Sequence, residues 1–158
     1  MKLRFVLIGV FALSVVLFSS CGKDKTGYWD QEEQNSVDHQ LIEEYVAANN
    51  LDGKFTSSGL YYVINEPGGM ERPTPSSKIT VDYKGYYLDG VKLDEGSLND
   101  YYLSNLILGW QEGIQYIGIG GSIKLILPSV LGYGHNPPGG VRADAVLVFD
   151  IYLKDFSN

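Results

Sequence analysis

The sequence predicts an α+β fold in which an antiparallel sheet wraps one short helix, with an extra helix ahead of it. Three observations carry this. From Leu60 to the end, apolar residues recur at every second position between turn signals. One stretch inside that region, marked by Trp110, Ile114 and Ile117, switches to helical spacing. Further upstream, Val37, Leu41, Ile42, Tyr45 and Val46 fall on a single helical face. With 158 residues and 44% hydrophobic composition, the chain can fill one ordinary core but hardly two.

The elements follow in order. Lys2 and Arg4 precede a continuous apolar run from Phe5 to Phe18, followed by Ser19, Ser20 and Cys21, so residues 1–20 read as a secretory signal. The run falls short of the about 20 residues that a membrane-spanning helix needs. Residues 21–35 are mostly polar and charged apart from Tyr28 and Trp29, and read as a flexible tether. Residues 36–53 form an accessory helix, capped by Asn35 or Ser36, with Asp38 in its first turn and Asn49, Asn50 and Gly53 at its end. It is expected to pack on the domain or on a second subunit.

Residues 54–158 make up the main domain. Its first strand, Leu60 to Ile64, is closed by Pro67-Gly68-Gly69. Ile79 to Leu88 follows, with Ile79, Val81, Tyr83, Gly85 and Tyr87 on one face. Asp89-Gly90 is a hairpin signal leading into Val91 to Asp94. Trp110 to Tyr116 is a short helix buried on one side, and Gly118-Ile119-Gly120-Gly121 a tight turn after it. Ile123, Leu125 and Leu127 alternate again, as do Leu147, Phe149, Ile151 and Leu153. No internal repeat is present.

Nineteen acidic residues against twelve basic ones give a net charge of −7; removal of residues 1–20 takes Lys2 and Arg4 and no acid, leaving −9. Such a chain repels phosphate backbones and has no basic patch to offset this, so nucleic-acid binding is excluded. His39 and His135 stand far apart, with no cysteine pair or carboxylate cluster at ligand spacing, so neither a metal nor another cofactor is expected. No serine occupies a nucleophile-elbow motif. Phe18-Ser19-Ser20-Cys21 resembles the lipobox of bacterial lipoproteins, with Cys21, the only cysteine, as the acylated residue. Each buried methylene of an acyl chain adds about 0.8 kcal/mol, so lipidation alone would hold the protein on a membrane. The resemblance implies a cell-envelope lipoprotein, periplasmic or outer-membrane associated. An ordinary secretory signal carrying a free thiol is the alternative.

Trp110 at a helix start, Tyr133 between two glycines and Phe149 in an apolar strand suit an aromatic pocket for a small apolar group. Tyr83 carries a phenol that needs a partner, for which Asp94 is the natural candidate. The ordered set Val81-Asp82-Tyr83-Lys84-Gly85, Leu88-Asp89-Gly90, Leu93-Asp94, Leu106 to Gly113, Tyr133-Gly134 and Leu147 to Asp150 resembles the FKBP-type peptidyl-prolyl isomerases. It covers roughly residues 58–155. Gly59 to Ile64 resembles the opening strand of the bacterial lipoprotein members.

The resemblance implies an FKBP-like half-barrel and a site between helix and concave face. In it Trp110 is the floor, Tyr83, Ile107 and Phe149 are walls, and Asp94 and the Tyr133 hydroxyl are polar rim groups. The Ile107 N–H would bond a substrate carbonyl. Tyr83, Asp94 and Tyr133 are thus the candidate catalytic residues; Leu93, Leu106, Ile107, Trp110, Val141 and Phe149 are the candidate substrate contacts. Leu93 stands where the family usually has Phe, and Val141 is the nearest apolar counterpart in a loop lacking Ile-Pro-Pro. Tyr101 or Tyr102 supplies the remaining aromatic. The expected partners are proline-containing polypeptide segments and macrolide ligands of the family, with a membrane reached only through the lipid anchor. The expected activity is prolyl isomerisation in the folding of exported proteins. A non-catalytic binding module or holdase is the alternative, and a surface carbohydrate-binding lipoprotein a weaker one.

Overall fold

The computed structural model describes residues 29–158; the signal segment, Cys21 and the tether up to residue 28 lie outside the described residues. Eight regular elements follow one another: α1 (Gln31–Ala48), β1 (Lys54–Phe55), β2 (Tyr61–Glu66), β3 (Lys78–Tyr87), β4 (Lys92–Tyr102), α2 (Leu108–Gly113), β5 (Ser122–Leu127) and β6 (Leu147–Ser157). The strands form one antiparallel sheet in the order β1-β2-β5-β6-β3-β4. Its inner face closes over α2 in a core built from Ile79, Val81, Leu103, Trp110, Ile114, Leu125, Leu127 and Phe149, among others.

Helix α1 starts five residues earlier than the sequence predicts. Asp30, and neither Asn35 nor Ser36, is the cap: its carboxylate accepts from the Glu32 and Glu33 N–H groups at 2.8 and 3.3 Å. Glu32 and Glu33 then place negative charge at the positive end of the helix dipole. The polar composition of residues 31–35 conceals this turn because it has no core to face. At the other end Asn50 adopts φ 51, and the Leu51 N–H returns to the Val46 carbonyl at 3.0 Å, so asparagine closes the helix as expected.

The helix lies on its own domain. Ile42 packs with Tyr61, Ile126, Val146 and Val148 on the outer face of the sheet, flanked by Tyr45 and Val46. Asp38, expected in the first turn, lies further along the helix and is fully buried. Its Oδ2 accepts from the Ser129 N–H at 2.7 Å and the Ser129 hydroxyl at 2.6 Å, where Ser129–Leu131 forms a 3₁₀ turn.

Turn chemistry places the hairpins. Gly90 has φ 81, its N–H donates to the Tyr87 carbonyl at 2.9 Å, and the Asp89 carboxylate accepts from the Val91 N–H at 3.1 Å. Strand β4 runs on to Tyr102, well past the expected Asp94. Two register shifts against β3 break its alternation, one between Gly85 and Tyr86 and one between Ile79 and Val81. Gly118 to Gly121 is a tight turn: the Gly121 N–H donates to the Gly118 carbonyl at 2.8 Å, with Gly120 at φ 80.

Candidate active site

Three strands and one helix bring the site together. In the register of the sheet, Gly85 of β3 has Asp94 of β4 on one side and Phe149 of β6 on the other. Tyr83 faces Gly96 across β3 and β4, so Asp94 is its diagonal neighbour on the same face. Gly85 is required here for space: a β-carbon on it would run into the Phe149 ring.

From the opposite side α2 presents Trp110, only 4% exposed. Its ring meets Tyr83 edge-on at 5.1 Å between centroids and Phe149 at 5.3 Å, with interplanar angles of 75° and 86°. Such edge-to-face contacts place the positive ring edge against a negative face. The helix can come so close because Gly109 and Gly113 turn toward β5, where a β-carbon would strike Leu127 and Leu125 respectively. The Trp110 Nε1–H is buried with no acceptor among the described residues.

The result is a cavity of about 310 Å³ with Trp110 as floor and Tyr83, Leu93, Leu106, Ile107 and Phe149 around it. Asp94 and Tyr133 lie at its rim. Eight of the nine sequence-predicted pocket residues therefore share one concavity. Val141 is the exception. It is half-buried and does not line the cavity; its N–H donates to the Pro138 carbonyl at 3.2 Å within its own loop. The neighbouring Arg142 accounts for this: its guanidinium lies 4.1 Å from the Tyr87 ring centre and donates to Asp89 Oδ2 at 2.8 Å, fixing the loop to the β3-β4 hairpin.

Leu98, Tyr101 and Asn105 line the cavity without having been singled out for it, apart from the open choice of Tyr101 or Tyr102. That choice falls on Tyr101. Tyr102 points away, with the Lys78 ammonium 5.1 Å from its ring centre. The reason is the bulge, in which Asp100 has φ 53 and one additional residue reverses the alternation, so Leu98 pairs with Val81 and Tyr101 with Ile79. The available signal is weak: an Asn-Asp pair inside an otherwise aromatic strand end.

The polar groups are few and specific. The Tyr83 hydroxyl donates to Asp94 Oδ2 at 2.6 Å, the partner expected from the sequence, while Asp94 Oδ1 accepts from the Glu95 N–H at 2.9 Å. That hydrogen bond, with burial and the Asp94 charge behind it, pushes the Tyr83 phenol up to about 12. Burial, followed by the Asp94 charge, also raises the Tyr133 phenol. Both rings are therefore neutral hydrogen-bonding groups at physiological pH. Ile107, at the start of α2, has φ −61 and ψ 150, and its carbonyl accepts from the Trp110 and Gln111 N–H groups. Its own N–H has no acceptor among the described residues. Nothing in the cavity is a nucleophile paired with a base. What the arrangement offers is an apolar enclosure with a few hydrogen-bonding groups at its edge.

Comparison with known proteins agrees with this geometry. A family described as FKBP-type peptidyl-prolyl cis-trans isomerase matches residues 69–154. The FKBP-type peptidyl-prolyl cis-trans isomerase FkpA of Buchnera aphidicola (subspecies Schizaphis graminum) is 46% identical over 108 residues, covering 65% of this chain and 43% of its own length. FkpA of Aeromonas hydrophila is 40% identical over 128 residues, 77% of this chain and 48% of its own. The chain thus spans less than half the length of these curated relatives. The crystal structure of Escherichia coli FkpA superposes with a TM-score of 0.69 at 33% identity, covering 80% of this chain and 62% of that one. A peptidyl-prolyl cis-trans isomerase from Pseudomonas syringae pv. tomato shares the fold, with a TM-score of 0.70 at 23% identity over 83% of this chain and 98% of its own. Because the matched segment contains every residue that lines the cavity, from Tyr83 on β3 to Phe149 on β6, the chain belongs to the FKBP-type peptidyl-prolyl cis-trans isomerase family.

Proposed function

We propose that the chain is a peptidyl-prolyl cis-trans isomerase that takes a prolyl ring into the Trp110 cavity and speeds rotation about the preceding amide. The observation that carries this reading is the enclosure of Tyr83, Trp110 and Phe149 around one small apolar space with the Tyr83-Asp94 pair at its edge. Rotation of an X-Pro amide makes and breaks no bond. Its obstacle is amide resonance, a barrier of about 18–20 kcal/mol that leaves the uncatalysed reaction taking tens to hundreds of seconds. Water stabilises the planar, charge-separated form through the carbonyl oxygen, so an apolar enclosure that strips this water favours the twisted form. The Ile107 N–H bonds a substrate carbonyl, and Asp94 and the Tyr133 hydroxyl act at the rim. Macrolide ligands of the family enter the same cavity.

In this reading the protein is a lipoprotein that assists folding of exported polypeptides. The Phe18-Ser19-Ser20-Cys21 motif supports lipidation, and the net charge of −9 after processing suits a partner that is polypeptide rather than nucleic acid. The experiment is NMR exchange spectroscopy on a short Leu-Pro peptide with and without the protein. Acceleration of cis-trans exchange supports the reading. Saturable binding with no acceleration would replace it with a passive binding module, a reading that the aliphatic Leu93 in the cavity wall favours. Mass spectrometry of the native N-terminus tests acylation of Cys21; an unmodified thiol rejects the anchor.

A further inference from the structure

The loop from Gly132 to Ala145 carries Tyr133 to the cavity, and it is tied down from outside by the segment ahead of α1. At the base of the loop the Asp144 N–H donates to the Gly134 carbonyl at 3.0 Å, and the Gly134 N–H to the Ser129 carbonyl at 2.9 Å. Asp144 has φ 54, a left-handed backbone that an aspartate tolerates but that the surroundings must hold in place. Both of its carboxylate oxygens are engaged. Trp29 Nε1–H donates to Oδ1 at 3.2 Å, and His135 Nδ1 lies 2.8 Å from Oδ2. The Trp29 indole also stacks on the His135 imidazole, with ring centres 4.7 Å apart at 28°. One side chain, 115 positions away from Asp144 in sequence, thus contacts the loop where it leaves its base and where it returns. Arg142 holds the same loop on the hairpin side, through Tyr87 and Asp89.

We propose that Trp29 is a positioning residue for the isomerase site: acting through His135 and Asp144, it keeps the Tyr133 loop in the conformation that receives substrate. The segment ahead of α1 is then part of the site rather than an inert spacer. This deepens the functional reading above and rests on it for the identity of the substrate. The energetic consequence follows from population shift. If the loop visits an open state when the clamp is lost, the apparent affinity falls by the fraction still closed, whereas saturating substrate draws the loop shut again. The constant that moves is KM; kcat does not.

The test uses the full chain and its W29A, W29F, D144A and W29A/D144A variants with the Leu-Pro peptide. Trp29 is 40% exposed and lies outside both core clusters, so the variants are expected to fold, which a thermal melt checks. W29A should raise KM about three- to tenfold with kcat held within about twofold. W29F, which keeps a stacking ring and loses the N–H donor, should fall between W29A and wild type. The double variant should fall well short of the product of the two single effects, because both changes act on one contact set, of which D144A spares only the Trp29-His135 stack. An unmoved KM in W29A, a fall in kcat at constant KM, or effects that multiply in the double variant would overturn the clamp. Hydrogen exchange of residues 133–144 supplies a readout independent of catalysis: faster exchange in W29A supports the clamp, and exchange equal to wild type refutes it. A wild-type chain without catalysis sinks the isomerase reading alone, and the exchange comparison still decides the clamp.

Discussion

At the scale of single residues, Tyr83 shows how the site is tuned. Its hydroxyl points at Asp94, which holds the phenol proton and fixes the ring against Trp110 at the same time. Tyr83→Phe keeps the ring and its edge contact and removes the hydrogen bond. The expected outcome is a fall in kcat/KM of about three- to tenfold with little change in melting temperature, measured by peptide exchange kinetics and calorimetry. The phenols also set an alkaline limit. Tyr83, through its bond to Asp94, and Tyr86, through burial and the nearby Asp150 charge, are both pushed up to about 12. An unfolded chain releases these protons near pH 10, about two pH units earlier. The stability they contribute is complete below about pH 10 and is lost as pH climbs toward 12. Urea midpoints at about pH 8 and about pH 11 should show the drop, and Y83F or Y86F should shrink it; an equal drop in both variants would refute the assignment. Tyr83 and Asp94 were legible in the sequence through the family motifs that carry them and the phenol's need of a partner, and the regular stretch of the two strands makes them diagonal neighbours. Tyr101 was not, because a bulge adds a residue that no alternation rule counts, and Val141 was misplaced because Arg142 anchors its loop elsewhere.

Elements obey a different logic, in which glycine and aspartate decide contacts that propensity would not choose. Gly109 and Gly113 weaken α2 as a helix, and they are what lets it lie against Leu127 and Leu125 of β5. Gly109→Ala separates the two effects by sign. Helix propensity alone predicts a gain of about 1 kcal/mol, whereas the collision with Leu127 predicts a loss of about 1–3 kcal/mol. We expect the loss, read from chemical denaturation. Asp38 has the matching role in α1. Asp38→Ala leaves the buried Ser129 N–H and hydroxyl without their acceptor, and should cost about 2–3 kcal/mol in the same measurement. A change under about 0.5 kcal/mol would mean that the pair contributes nothing net. The existence of α1 and α2 could be read from their apolar spacing. The earlier start at Asp30 and the burial of Asp38 could not, since a carboxylate at a helix start and a carboxylate inside a core look the same until its partner, far along the chain, is known.

Across the whole molecule, the sheet is covered on both faces, by α2 within and by α1 outside. A chain beginning at Lys54 would bare Tyr61, Ile126, Val146 and Val148. It should lose about 3 kcal/mol or more of stability and bind a hydrophobic dye that the longer chain does not; an unchanged denaturation midpoint would show α1 to be dispensable. The sandwich-like layering followed from the alternation of the strands, but which surface α1 occupies required the fold. The sheet's two borders have a further consequence. On one side β1 has only two residues. On the other, β4 is long and exposed, yet it carries Lys92, Asp94, Glu95 and Asp100 and is kinked at Asp100. A straight, uncharged margin would invite any extended polypeptide to zip on as another strand and stay there. Neither border of the described sheet offers such a template, so under the proposed function a stretched chain is held by the Trp110 hollow and its rim groups rather than by strand pairing, and is free to diffuse away.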